Sequence, residues 1–156
     1  MHEVRRQVPT ARLRIIGEGY ERERIQRVIS DLDAGDWCEL AGRVDDRSLR
    51  EAYREAWVVA STSRAEGWGM TLTEAAASGT PAVATRIAGH VDAVVDGRTG
   101  VLFDTHDELV AALAALLTDD SRRQRLSAAA RTHGETFSWA RTAYDNLAVL
   151  TRSVAP

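Results

Sequence analysis

The sequence contains no lysine; all 20 of its basic residues are arginine. Chemistry that needs an ε-amine from this chain is thereby excluded, a Schiff base and a P-loop lysine among it. Cysteine occurs once, as Cys38 between Trp37 and Glu39. No internal disulfide can form, and no Cys/His cluster at ligand spacing exists to hold zinc. Cys38 reads as a small buried hydrophobe in a strand. No apolar run approaches the roughly 20 residues that cross a bilayer. The opening Met1-His2-Glu3-Val4-Arg5-Arg6 lacks the apolar stretch of a signal peptide, so the expected location is cytoplasmic. A net charge of −3 supplies no global field to attract nucleic acid.

What is present is the composition of one ordinary globular domain, long enough at 156 residues for a single core. Leu13-Arg14-Ile15-Ile16 reads as a strand closed by Gly17-Glu18-Gly19. From Glu21 to Leu32, the residues Ile25, Val28, Ile29 and Leu32 recur at helical spacing. A strand over Trp37–Ala41 runs into Gly42, and Asp45 or Asp46 caps a helix through Ala56, with Leu49, Ala52 and Tyr53 inward. Trp57-Val58-Val59-Ala60 is apolar without alternation, as expected of a strand covered on both faces. After the polar loop Ser61–Gly67 come a helix over Gly69–Ser78 stopped by Gly79, and a strand opening at Pro81. Ile87–Val95 is expected to be a loop with one helical turn, Asp96–Gly100 a turn and Val101-Leu102-Phe103 a short strand. Helices follow near Asp107–Leu117, Ser121–His133 and Trp139–Leu150. Strands alternating with helices imply a doubly wound, Rossmann-like parallel α/β sheet. A helix end is expected over Met1–Val8, feeding the first strand as though an earlier strand were lacking.

Ligands of such folds bind beyond the carboxyl ends of the strands. Four segments lie there: Gly17–Gly19, Gly42-Arg43-Val44, Ser61–Met70 and Thr85–His90. Glycines Gly67 and Gly69 flank a helix start, where free N–H groups and the positive dipole end favour an anion. Thr71 and Thr73 offer further donors. Glu66 lies just before the helix, and Glu74 one turn beyond Met70. Carboxylates accept hydrogen bonds from hydroxyls, so an anion site between two of them suits a phosphorylated sugar. The same residues are also ordinary capping features, and on residues alone both readings stand.

The stretch Ala60–Gly100 resembles the donor-binding region of the retaining family-four glycosyltransferases, the glycogen-synthase-like GT-B enzymes. Glu66 and Glu74 fit their E-x₇-E signature, and Ala77-Ser78-Gly79-Thr80-Pro81-Ala82-Val83-Ala84 fits the small-Gly-x-Pro-x-Val strand that follows. Leu13–Gly19 is similar to their strand ending in G-x-G, Glu39–Val44 to the next strand, and Asp96-Gly97-Arg98-Thr99-Gly100-Val101-Leu102 to their D-G-x-T-G-x-L turn. Phe137-Ser138-Trp139 opens a final helix, 137–152, as in many members.

The resemblance implies that residues 1–156 are one donor-binding domain, the C-terminal half of a GT-B fold lacking its first strand. It implies that Glu66 contacts the donor sugar and Glu74 the ribose. Amides around Gly67, Trp68, Gly69, Met70 and Thr71 would grip the diphosphate. Gly17 and Gly19 would admit the nucleotide, with Arg43 and Val44 beside the base. It implies a nucleoside diphosphate sugar as substrate, with no metal and no cofactor. Trp68 stands where Phe is common and is expected to pack under the helix start.

The sequence departs from the family in having no N-terminal acceptor domain and no Arg/Lys pair for the leaving diphosphate. Arg64 and Arg86 are the available substitutes. The chain alone is therefore expected to have little transferase activity. His90 is expected to be a loop residue, with a sugar contact as the alternative, and His2, His106 and His133 surface residues. The alternative is a non-catalytic nucleotide-binding or protein-interaction module, with homo-oligomers forming through the sheet edge that a missing strand exposes. An NAD-binding domain is disfavoured, because Tyr20-Glu21-Arg22 omits the third glycine of G-x-G-x-x-G.

Overall fold

The computed structural model describes residues 1–153, with side chains through residue 151. Five short strands alternate with helices: α1 (His2–Gln7), β1 (Leu13–Ile16), α2 (Arg22–Asp31), β2 (Cys38–Gly42), α3 (Asp46–Glu55), β3 (Val59–Ser61), α4 (Met70–Ala77), β4 (Ala82–Thr85), α5 (His90–Ala93) and β5 (Gly100–Phe103). Helices α6 (His106–Thr118), α7 (Asp120–Gly134) and α8 (Trp139–Ser153) close the described chain.

All pairings are parallel, but they form two sheets, β2-β1 and β3-β4-β5. Set against the doubly wound order 3-2-1-4-5-6, these are places 3-2 and 4-5-6. No strand among the described residues pairs with both β1 and β3. The parallel α/β alternation is the one the sequence led us to expect.

Side chains of the three-stranded sheet alternate between two cores, as a period of two requires. Val83 and Phe103 join Val4, Val110, Leu113, Leu116 and Leu126 on one face. Ala82, Ala84 and Leu102 join Leu72, Ala93 and Val94 on the other. The two-stranded sheet is packed differently. Leu13, Ile15, Cys38 and Leu40 pack with Ile25 and Ile29 of α2, while Arg14 and Glu39 form an exposed ion pair at 3.2 Å on the opposite face. Cys38 is buried and free, as expected of a small buried hydrophobe in a strand.

Three local expectations are corrected. The strand expected at Trp57–Ala60 starts at Val59, and it is not covered on both faces. Trp57 is 54% exposed and lies under the guanidinium of Arg123, 3.9 Å from its ring centroid. Because β3 pairs only with β4, its ladder extends no further back. Pro81 precedes β4 instead of opening it, although its carbonyl accepts the first cross-strand bond from Val59 N at 3.0 Å. On α2 only half of the expected stripe is covered: Ile29 is buried, but Val28 and Leu32 are close to half exposed.

Candidate functional site at the carboxyl ends of the strands

Because every strand runs the same way, the loops after β1, β2, β3 and β4 emerge at carboxyl ends, as the alternation implied. They are held as two pairs. In the first, Gly17 N donates to Gly42 O at 2.8 Å. The Glu18 carboxylate receives Arg22 at 2.9 Å and lies where a side chain on Gly42 would stand. Gly17 and Gly19 face open space. Arg43 is exposed, without a hydrogen bond or ion pair among the described residues, and Val44 is half-buried.

The second pair carries the two glutamates. Ser63 Oγ donates to Glu66 Oε1 at 2.8 Å, and Thr85 Oγ1 donates to the Ser63 carbonyl at 2.6 Å. Beneath them His90 is only 1% exposed. Its Nδ1 lies 3.0 Å from the Thr85 carbonyl, which can only accept, so Nδ1 carries the proton. Nε2 lies 3.3 Å from the Ser61 hydroxyl, which also reaches Ser63 Oγ at 3.4 Å. The residue expected in an open loop is thus the buried tie between the ends of β3 and β4. A loop with polar backbone beneath it needs such a partner.

Two glycines are dictated by this packing. Gly69, the N-cap of α4, has φ 76°, and a side chain there would press on the His90 ring at 3.1 Å. Gly89 has φ 83°, and a Cβ on it would stand 2.8 Å from Glu66 O and 3.1 Å from Trp68 N. Both are left-handed conformations that side-chain-bearing residues adopt at a cost.

At the head of α4, Leu72 N and Thr73 N bond back to Gly69 O at 2.9 and 3.3 Å. The N–H groups of Trp68, Gly69, Met70 and Thr71 find no acceptor among the described residues. They lie between Glu66 and Glu74 in the chain, and the helix is anchored behind them by buried Leu72, Ala75 and Ala76. Glu74 accepts from Tyr53 Oη at 3.0 Å, across 21 residues. Tyr53 is 8% exposed. Burial, then the hydrogen bond and negative charge of Glu74, push its phenol well above the usual tyrosine range, with the Thr71 hydroxyl acting in the opposite sense.

Several expected contacts fall elsewhere. The Thr73 hydroxyl turns back onto the Met70 carbonyl at 2.9 Å, as threonines in helices often do, so it is not a spare donor. Trp68 is not tucked under the helix; it is 42% exposed and meets Phe137 edge-on, with centroids 5.4 Å apart. Phe137 in turn meets His133, whose buried Nε2 has no partner among the described residues, so His133 is not a plain surface residue. His2 is exposed, and exposed His106 pairs with Glu3 at 2.8 Å. Arg86 is committed to Asp96 at 2.7 Å and Asp104 at 3.1 Å. Arg64 is exposed and unpaired among the described residues. No hydrogen bond or ion pair among the described residues joins the first pair of loops to the second.

No group of three or more His, Cys, Asp or Glu side chains among the described residues could hold a metal ion. No helix among them is long and apolar enough to cross a membrane.

Residues 1–133 match the family described as Glycosyl transferases group 1. The chain belongs to that family. Among curated members, the D-inositol 3-phosphate glycosyltransferase of Corynebacterium diphtheriae is 48% identical over 97 residues, covering 61% of this chain and 23% of the relative. The enzyme of the same name from Paenarthrobacter aurescens is 38% identical over 121 residues, covering 76% of this chain and 30% of the relative. The matched stretches thus span 23% and 30% of these two relatives. Staphylococcus aureus TarM, solved in a complex that includes UDP, superposes with a TM-score of 0.82 at 26% identity, over 88% of this chain and 28% of its own. A sucrose-phosphate synthase from Thermosynechococcus elongatus shares the fold at a TM-score of 0.83, over 99% of this chain and 42% of its own. The group 1 family thereby agrees with the resemblance read from Ala60–Gly100.

Two residues that hold the glutamates, Tyr53 and Ser63, were not read as site residues, and His90 was placed in the loop without its buried role. Tyr53 offered a signal, because a buried tyrosine needs a partner for its hydroxyl. Nothing local could say that the partner was Glu74.

Proposed function

We propose that this chain is the donor-binding part of a retaining, metal-independent glycosyltransferase. It would take a hexosyl unit from a nucleoside diphosphate sugar and pass it to an acceptor hydroxyl when the complete protein is assembled. The observation that carries this reading is the run of unsatisfied N–H groups from Trp68 to Thr71 at the start of α4, bracketed by Glu66 and Glu74. Those donors and the helix dipole suit a diphosphate whose charge grows as the sugar leaves, which makes electrostatic stabilisation the chain's main contribution. Glu66, held by Ser63, would accept from sugar hydroxyls. Glu74, held by Tyr53, would accept from the ribose. Gly17 and Gly19 give the nucleotide room, and Arg43 and Val44 would flank the base.

Calorimetric titration with UDP and GDP tests the reading. One of them is expected to bind, and Glu66→Gln and Glu74→Gln are each expected to weaken it. If neither nucleotide binds, the alternative gains: a module that keeps the fold and acts through another protein. The free edges of β1 and β3 are the observation that favours that alternative. Since Arg86 is engaged by two aspartates, the purified chain is expected to transfer little or no sugar. Turnover at the rate of a complete enzyme would refute that. The relatives' names make D-inositol 3-phosphate the first acceptor to try with the complete protein.

A further inference from the structure

We infer that Tyr53 is the positioning residue that makes Glu74 selective for a ribose diol. The inference rests on the proposed role of Glu74. A glutamate in the second turn of an exposed helix start ordinarily samples several rotamers, and an unrestrained carboxylate grips two adjacent hydroxyls poorly. Glu74 is restrained from a different element. Tyr53 Oη on α3 donates to its Oε2 at 3.0 Å, which leaves Oε1 and the remaining lone pairs for a ligand.

The tyrosine itself is fixed at both ends. The Thr80 hydroxyl, 3% exposed, donates to its backbone carbonyl. The tyrosine's phenol oxygen ends on Glu74, so the contact ties α3 to the second turn of α4. Tyr53 touches neither part of the ligand; it acts through Glu74.

The test compares UDP with 2′,3′-dideoxy-UDP, by calorimetry, on the whole chain and on the variants Glu74→Gln and Tyr53→Phe. The unmodified chain is expected to prefer UDP by about tenfold or more, as loss of a hydrogen bond to a charged group implies. Glu74→Gln is expected to reduce that preference sharply. Tyr53→Phe removes one oxygen from a buried ring, and circular dichroism checks that the variant is folded. It is expected to lose most of the ribose preference while binding the dideoxy nucleotide as the unmodified chain does. That ratio would not move if Tyr53 merely supported the fold. A Tyr53→Phe variant that keeps the full preference, in a chain where Glu74→Gln abolishes it, overturns the inference and leaves the role of Glu74 standing. An unmodified chain that binds both nucleotides equally, or binds neither, overturns the role of Glu74 and the inference with it. Should Tyr53→Phe fail to fold, Thr80→Val loosens Tyr53 from its backbone end instead. It is expected to lower the ribose preference, and an unchanged preference would count against the inference.

Discussion

At the scale of single residues, the glycines around the site separate two kinds of constraint. A side chain on Gly67 would meet nothing within 4 Å, whereas one on Gly89 would meet the backbone of Glu66, Gly67 and Trp68 and face a φ of 83°. Gly67→Ala is therefore expected to leave thermal stability within about 0.5 kcal/mol and to weaken nucleotide binding by obstructing the phosphate. Gly89→Ala is expected to lose both, with stability falling by about 1–3 kcal/mol. Thermal melts paired with titration check the contrast, and equal losses in the two variants would dissolve it. His90→Ala is expected to cost about 3 kcal/mol, because it opens a cavity at a fully buried site and removes the hydrogen bonds that tie the ends of β3 and β4. A melt within a degree of the unmodified chain would contradict the tie described for it. Glu66 and Glu74 were legible in the sequence because their spacing and the glycines between them form an ordered pattern. Their partners Ser63 and Tyr53 were not. Ser63 is an unremarkable loop serine, and Tyr53 meets Glu74 only when α3 packs beside α4.

At the scale of elements, local chemistry and tertiary packing divide the outcome. Asp45 caps α3 as its sequence position suggested, accepting from Ser48 N at 2.7 Å. Thr105 and Glu108 form a reciprocal capping box on α6. Thr105→Ala is expected to cost about 1 kcal/mol, measured by denaturant unfolding. The types and order of the elements were readable because helix and strand periods and their punctuating residues are local signals. The two faces of β4 were readable only as a continuous apolar run, and the structure resolves it into Val83 on one core and Ala82 with Ala84 on the other. The start of β3 was misplaced because apolar character alone assigned Trp57 to a strand. Whether Trp57 is in the ladder depends on pairing with β4, and its ring is covered instead by Arg123, 66 residues away in the chain. The exposed half of the α2 stripe, Val28 and Leu32, has the same origin. Periodicity names a face, and only the assembled fold says how much of it is covered.

At the scale of the whole molecule, charge sets the response to pH. Asp96 is held below the usual carboxylate range, chiefly by the Leu102 N–H and then by Arg86. Glu108 is lowered by the N–H groups of Asp104 and Thr105, and Asp45 by Ser48. Groups whose folded pKa is depressed stabilise the fold fully above their unfolded values of about 4, and that contribution is lost as pH falls through the folded ones. Thermal stability is thus expected to be flat in this respect from pH 7 to about 5 and to decline below about 4. Asp96→Asn is expected to lower the plateau and flatten the decline, a pattern that melts across the pH series would reveal. The proposed site needs only a short part of the chain, which itself matches 23% and 30% of two curated relatives. The proposed phosphate donors, both glutamates and the residues that hold them come from α3 to α5, all within one stretch of chain.

The central claim is that the start of α4 grips a diphosphate between Glu66 and Glu74, and amide chemical shifts test it most directly. In a ¹⁵N-labelled chain titrated with UDP and, separately, with uridine, the N–H resonances of Trp68, Gly69, Met70 and Thr71 are expected to move with UDP and to stay in place with uridine. Resonances that stay fixed while UDP binds elsewhere, or that move equally with uridine, would contradict the claim.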